Sequence, residues 1–293
     1  MIQSFTFKIF YFLIIWLSFS CQFYEKPKLE IEEKRLLNAI QINPVHELAY
    51  LRLAQYLENK GRYSETFSVL RTGQKRIPSA VSLVRLEGGL YQSLGFYEEA
   101  NKFYSSKITK NPNESLLYLD RAQLYWRMEK LNTALRDVDR AINLKEDLFE
   151  AHYLKGLILS HQSEIDVKNK TEKALLSFIN ASEINDQNPD LWFQISALWE
   201  IRNDMYKAKL SMLRAVELNP ESKLYLQRLI ILQEKELDQA NNKNIKEIAK
   251  GLERTLLHML KLFPNNSWVE AHYGNWAWSQ EKFATAEKHF RRA

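Results

Sequence analysis

Cys21 is the one thiol of the chain, and His46, His152, His161, His258, His272 and His289 are its imidazoles. A lone cysteine cannot close an intramolecular disulfide, which leaves modification as the chemistry open to it. Histidines serve a zinc hydrolase when two of them sit four residues apart on a helix beside a glutamate, and none of these six has that spacing. The sequence holds no Gly-rich phosphate loop and no Gly-x-Ser-x-Gly elbow around a nucleophilic serine. Asn113, Asn169, Asn180 and Asn265 begin Asn-x-Ser/Thr sequons, which matter only in a source that glycosylates. These observations predict no enzyme, no metal and no cofactor. The charge balance excludes another class. Lys and Arg number 41 against 36 Asp and Glu, and the surplus of +5 is scattered. Nucleic-acid binding needs a concentrated basic stripe, so no nucleic-acid partner is predicted.

The position of Cys21 is informative. Residues 9–19, IFYFLIIWLSF, are apolar except for Ser18, follow Lys8 and precede polar QFYEKPK. Such a run is short for a spanning helix, which takes about 20 residues, and fits the apolar stretch of a secretory signal peptide at residues 1–20. An uncleaved signal anchor starting near Phe5 is the other reading. Leu17-Ser18-Phe19-Ser20-Cys21 resembles the lipobox of bacterial lipoproteins, although Leu17 stands four places before the cysteine and bulky Phe19 two before. The resemblance implies a diacylglycerol on Cys21, a linker over 21–28 and attachment to a membrane of the cell envelope through lipid. Plain secretion remains the alternative.

The rest of the chain repeats. Pro44, Pro78 and Pro112 lie 34 residues apart, and the same step reaches Glu146 after Ala141-Ile142-Asn143-Leu144. The next unit is six residues longer and ends at Asp186; a step of 34 then reaches Pro220 and one of 44 reaches Pro264. Only 8 Gly and 7 Pro interrupt 293 residues, 45% of them hydrophobic, which favours long helices with enough apolar surface to bury. Within the units, Ala122, Tyr125, Ala134, Val138 and Ala141 recur at helix-face offsets. So do Gly88, Tyr91, Gly95, Tyr97, Ala100 and Tyr104, and Gly274, Phe283, Ala286, Phe290 and Ala293.

These offsets resemble the tetratricopeptide repeat. That pattern has a small residue at position 8, rings near 11 and 17, Ala at 20, a ring at 24, Ala at 27 and proline at 32. The resemblance covers residues 29–293 and implies an all-α, right-handed α-solenoid of helix pairs. It gives a partial repeat at 29–46 and repeats starting near 47, 81, 115, 149, 189, 223 and 267. Small residues at 8 and 20 let paired helices approach, and the ring at 24 fills the gap toward the next pair. No pair buries its apolar stripe alone, so neighbours must stack. The extra residues lie in HQSEIDVKNKT and EKELDQANNKNIKEI and read as longer helix ends with looser turns, a dedicated binding loop being the alternative. The unit from 223 matches least well, because Leu252 takes the small position 20. The sequence stops at position 27 of a repeat, which points to an incomplete chain or to a final helix covered by something else. Three units carry a charge at the usually apolar position 7: Glu87, Arg121 and Lys155. Arg121 is expected to pair with Asp137 or Glu87; three separately solvated heads are the alternative.

In this family, positions 2, 5, 9, 12 and 13 of the first helices line a concave groove. The resemblance therefore implies a partner-binding groove of Leu51, Gln55, Arg85, Leu119, Gln123, Trp126, Arg127, Tyr153 and Phe193. Ala197, Gln227, Ile231, Glu58, Glu200 and Trp278 hold further groove positions. Trp126, Tyr153 and Phe193 are the expected anchors, with Arg85 and Arg127 for carboxylates or carbonyls. Stacking of these rings on one another across units is the competing expectation. The Lys/Asn clamp that holds acidic chaperone tails is absent, since positions 5 and 9 of the first two full units are Leu51, Arg85, Gln55 and Gly89. The expected function is a protein-interaction scaffold of the bacterial envelope that holds a peptide or helix of a partner. The alternative is a regulatory or substrate-binding arm of a larger enzyme or secretion complex.

Overall fold

The computed structural model describes residues 30–161, 167–239 and 245–293. Cys21, the apolar run before it and the linker lie outside the described residues. The middles of the two extended turns, 162–166 and 240–244, do as well.

The described residues form fifteen α-helices and no strand. In order they are α1 Ile31–Ile42, α2 Glu47–Asn59, α3 Tyr63–Arg76, α4 Val81–Ser93, α5 Tyr97–Lys110, α6 Ser115–Arg127, α7 Leu131–Leu144 and α8 Phe149–His161. There follow α9 Val167–Ile184, α10 Pro189–Ile201, α11 Met205–Leu218, α12 Lys223–Gln239, α13 Ile245–Leu262, α14 Ser267–Ser279 and α15 Phe283–Phe290. Several helices start where a side chain satisfies the free N–H groups of the first turn. Asn188 accepts from Asp190 and Leu191 ahead of Pro189, and Asn266 accepts from Trp268 and Val269. Between the helices of a pair, one residue turns into the left-handed region: Gly61 (φ 71°), Gly95 (80°), Glu129 (58°), Asn203 (59°) and Glu281 (57°). Each is position 15 of its unit. Glycine and asparagine enter that region readily, whereas glutamate strains to do so.

The chain divides into two compact units, one ending at Leu90 and the other starting at Tyr91, where the sequence reads as one array. In the first unit Tyr50, Ala54, Leu70, Ala80 and Leu83 form one core cluster, and Leu36, Leu53 and Leu57 another. Gly73 is required here, since a Cβ would stand 2.8 Å from Leu83 and 3.0 Å from the Tyr50 ring. Buried Glu33 is held by Arg62 at 2.8 Å, and Arg62 also grips Glu65.

In the second unit each helix from α5 to α15 packs on the next. Ala122, Ala134, Val138 and Ala141 are fully buried, as are Ala174, Phe178 and Ala181. The ring at position 24 has a larger role than filling the gap between pairs. Phe178 does pack among Leu191 and Ile195 of α10. It also lies over Gly156 of its own pair, where a Cβ would come within 2.5 Å of the ring. Phe290 covers Gly274 in the same way at 2.6 Å. Position 8 is therefore small to admit the ring at 24 as well as the helix at 20.

The position 7 charges are all paired. Arg121 donates to both Asp137 oxygens at 2.7 and 2.9 Å and to Ser105 at 3.0 Å. Burial acts to lower the Arg121 pKa, and the Asp137 contacts more than offset it, so the net shift is upward. Lys155 reaches Asp139 at 2.7 Å. Within the first unit Glu87 accepts from Arg71 at 2.9 Å and Gln74 at 2.7 Å. Separately solvated heads are not what forms.

Candidate partner-binding groove

The expected groove residues fall into different environments. Leu51, Gln55 and Arg85 belong to the first unit. Leu51 is half-buried against the Tyr50 cluster, Gln55 is exposed and Arg85 is half-buried. In the second unit Gln123 is half-buried and Arg127 exposed. Leu119 must be corrected. It is 1% exposed, packed with Ala122 of its own helix and with Ala151 and Leu154 of α8, so it has no surface to offer a partner.

The three expected anchors each touch another ring. Trp126 meets His161 edge-on with centroids 5.2 Å apart. Tyr153 stacks on Phe149 at 5.7 Å and leans on Phe178 at 5.6 Å. Phe193 tilts against Tyr225 of α12 at 5.6 Å. Stacking within and between helices thus accounts for part of the burial of these rings. The Tyr225 hydroxyl donates to Asp190. Burial pushes the Tyr225 phenol upward, and the Asp190 contact adds to the shift. Tyr153 is raised by burial first and then by the Asp190 charge. One carboxylate thereby acts on both the Tyr153 and Tyr225 phenols.

Beside Phe193 the surface opens into a dish of about 300 Å³ lined by Phe193, Ala197, Leu224, Gln227, Arg228, Ile231 and Trp268. It is built by α10, α12 and α14, the first helices of three successive pairs. Leu224 is 57% exposed at its edge. The Asn266 cap fixes the start of α14 and hence the place of Trp268. Arg228, which lines the dish, and Lys235 of the same helix both reach the Glu200 carboxylate, Lys235 at 2.6 Å. Two cations against one carboxylate leave a positive balance, which favours an acidic group on whatever sits there.

A second hollow of about 320 Å³ continues past Trp268 and carries Glu234, Asp238, His272, Asn275 and Ser279. His272 joins the two, 2.7 Å from Glu234 and with its ring 3.8 Å from that of Trp268. Such an arrangement can seat an apolar side chain and orient polar groups around it. Leu224, Arg228 and Trp268 were missing from the residues read off the sequence. Leu224 and Trp268 hold position 2, so the periodic rule itself points to them.

No protein-family model matches the chain. It is similar to the human protein O-mannosyl-transferase TMTC1, 23% identical over 188 residues that make up 64% of this chain and 21% of that protein. The chain spans about a fifth to a quarter of the length of the curated relatives it matches first. Among solved structures it is similar to pilF of Pseudomonas aeruginosa, with a TM-score of 0.57 at 14% identity, over 74% of this chain and 92% of that one. It is also similar to a tetratricopeptide repeat protein of Parabacteroides merdae, with a TM-score of 0.51 at 14% identity, over 84% and 91%. These likenesses show the fold, an all-α solenoid of tetratricopeptide type.

Proposed function

We propose that this chain, a tetratricopeptide-repeat protein by its fold, is a non-catalytic adaptor of the cell envelope. It would hold a peptide or helix of a partner in the groove of its first helices. The observation that carries the reading is the dish of Phe193, Leu224, Arg228 and Trp268, where Leu224 is exposed and the stacking of pairs leaves the Phe193 and Trp268 rings only half-buried. Two of the flanking cations share one carboxylate, so an apolar side chain followed by an acidic residue fits the site best. The lipobox-like run ending at Cys21 supports attachment through lipid. Labelling cells with a palmitate analogue should mark the chain and leave Cys21→Ala unmarked; equal label on both, or none on either, removes the anchor from the reading. Recovery of a discrete partner from solubilised envelopes should drop in Phe193→Ala/Trp268→Ala and persist in Leu176→Ala, which alters an exposed leucine of α9.

A second reading has one observation in its favour. The human relatives are O-mannosyl-transferases of which this chain matches about a fifth to a quarter, which suits a substrate-binding arm of a larger enzyme. A catalytic segment in the same polypeptide, or in a subunit that co-purifies in fixed ratio, would favour it over the adaptor.

A further inference from the structure

The helix α12 has a second recessed face. Leu224, Gln227, Arg228 and Ile231 face the dish, while Leu226, Leu229, Gln233 and Glu236 line a separate cleft of about 600 Å³ closed by α11 and α13. With 3.6 residues per turn the two sets lie on opposite sides of the helix. The cleft occurs where the repeat departs from its own rules. Position 20 is Thr66 or alanine in the other pairs (Ala100, Ala134, Ala174, Ala208, Ala286) but Leu252 here. Position 11, which is Leu57, Tyr91, Tyr125, Leu159 or Trp199 in earlier units, is Gln233.

Gln233 is 6% exposed, and its Oε1 has no hydrogen-bond partner. Its Nε2 points toward α13, 3.6 Å from where a Cβ on Gly251 would stand. A buried carboxamide oxygen left unpaired is unusual in a folded protein, and the broad terminal torsion of the side chain lets it turn toward a ligand in the cleft that completes the set. The carboxamide carries a donor and an acceptor side by side, which is the complement of a peptide unit. Around it, Leu213, Val216 and Ile248 are partly exposed and give an apolar floor, with Leu226 and Leu229 buried beneath them. Lys209 and Glu236 neutralise each other on one wall at 2.6 Å. On α13, Glu247 and Arg254 make no ion pair among the described residues, and seven residues of helix set them roughly 10 Å apart. Three extended residues of a peptide span about the same distance.

We propose that this cleft is a second polypeptide-binding site, separate from the groove of the first helices. It takes an extended segment whose apolar side chains rest on the floor of Leu213, Val216 and Ile248. The backbone N–H and C=O of that segment pair with Gln233, and its flanking acidic and basic side chains meet Arg254 and Glu247.

The test uses the full chain and two blocked tetrapeptides, acetyl-Lys-Leu-Leu-Glu-amide and its reverse acetyl-Glu-Leu-Leu-Lys-amide. With glutamine side chains labelled in 15N, the Gln233 amide signal is identified by its loss in Gln233→Met. One of the two peptides should shift that signal saturably. N-methylation of its leucine nitrogens should weaken binding roughly three- to tenfold, the value of one net hydrogen bond. Gln233→Met should raise the melting temperature, because an unpaired buried amide oxygen is removed, while lowering affinity for the unmethylated peptide. A glutamine with a purely structural role would lower the melting temperature instead. The proposal is overturned if neither peptide shifts Gln233 up to its solubility limit, if N-methylation leaves affinity unchanged, or if Gln233→Met lowers the melting temperature.

Discussion

Replacing Gly156 by alanine isolates the contact on which the close approach of α8 and α9 depends. The added Cβ would stand 2.5, 2.6 and 2.8 Å from three carbons of the Phe178 ring. Ordinary carbon contacts are about 3.5–4.0 Å, so the ring must retreat by roughly 1 Å. Phe178 is fully buried among Leu175, Leu191 and Ile195, with the Tyr153 ring beside it, and has no space to retreat into. Overpacking of this kind costs about 1–3 kcal/mol. Alanine also gains helix propensity over glycine, which offsets up to about 1 kcal/mol. The net effect of Gly156→Ala is a loss of about 0–2 kcal/mol. In a Phe178→Leu background the clash is gone, and the same substitution should be stabilising. Urea unfolding of the four proteins followed by circular dichroism gives the coupling directly. A coupling of about 1–3 kcal/mol is expected. A value within about 0.5 kcal/mol of zero, the additivity limit for independent sites, would mean that Gly156 and Phe178 are not coupled by this clash.

Glu129→Gly should raise stability by about 0.5–1 kcal/mol, since a glutamate held at φ 58° is strained where glycine is not; a lower urea midpoint would contradict this. Arg121→Met leaves the Asp137 carboxylate, 7% exposed, without its bidentate partner and should cost about 3 kcal/mol. The double variant with Asp137→Leu should recover most of that loss in the same unfolding assay. Leu119→Ala should destabilise by about 2–5 kcal/mol, as expected for a core leucine. Leu224→Ala, at an exposed position, should change stability by no more than about 0.5 kcal/mol while reducing partner recovery.

Much of the fold can be read from spacing because the same steric requirement returns in each pair. Ala134, Val138 and Ala141 are fully buried because close helix approach admits only small or well-fitted side chains at those offsets. The Arg121–Asp137 pair is legible too, because positions 7 and 23 face each other across one pair. Other features need the folded chain. Periodicity tells which side of a helix Leu119 faces but not how far Ala151 and Leu154 of the next pair cover it. Glu129 and Glu281 give no hint of a left-handed turn, since the fold imposes that conformation against the residue's own preference. The dish beside Phe193 draws on position 2 of two units and on Arg228, so it emerges only when three first helices are set side by side. The cleft at Gln233 arises from two departures, at positions 11 and 20, whose meeting depends on packing.

The proposed function requires the first-helix side of the second unit to grip another polypeptide. A photoreactive amino acid placed at Leu224 in cells, and separately at Leu257 on α13, tests it most directly, since both side chains are exposed and belong to different helices. Position 224 should give one discrete protein adduct, lost when Trp268→Ala is added, and position 257 none of that mass. No adduct at 224, or the same adduct from both positions, would contradict it.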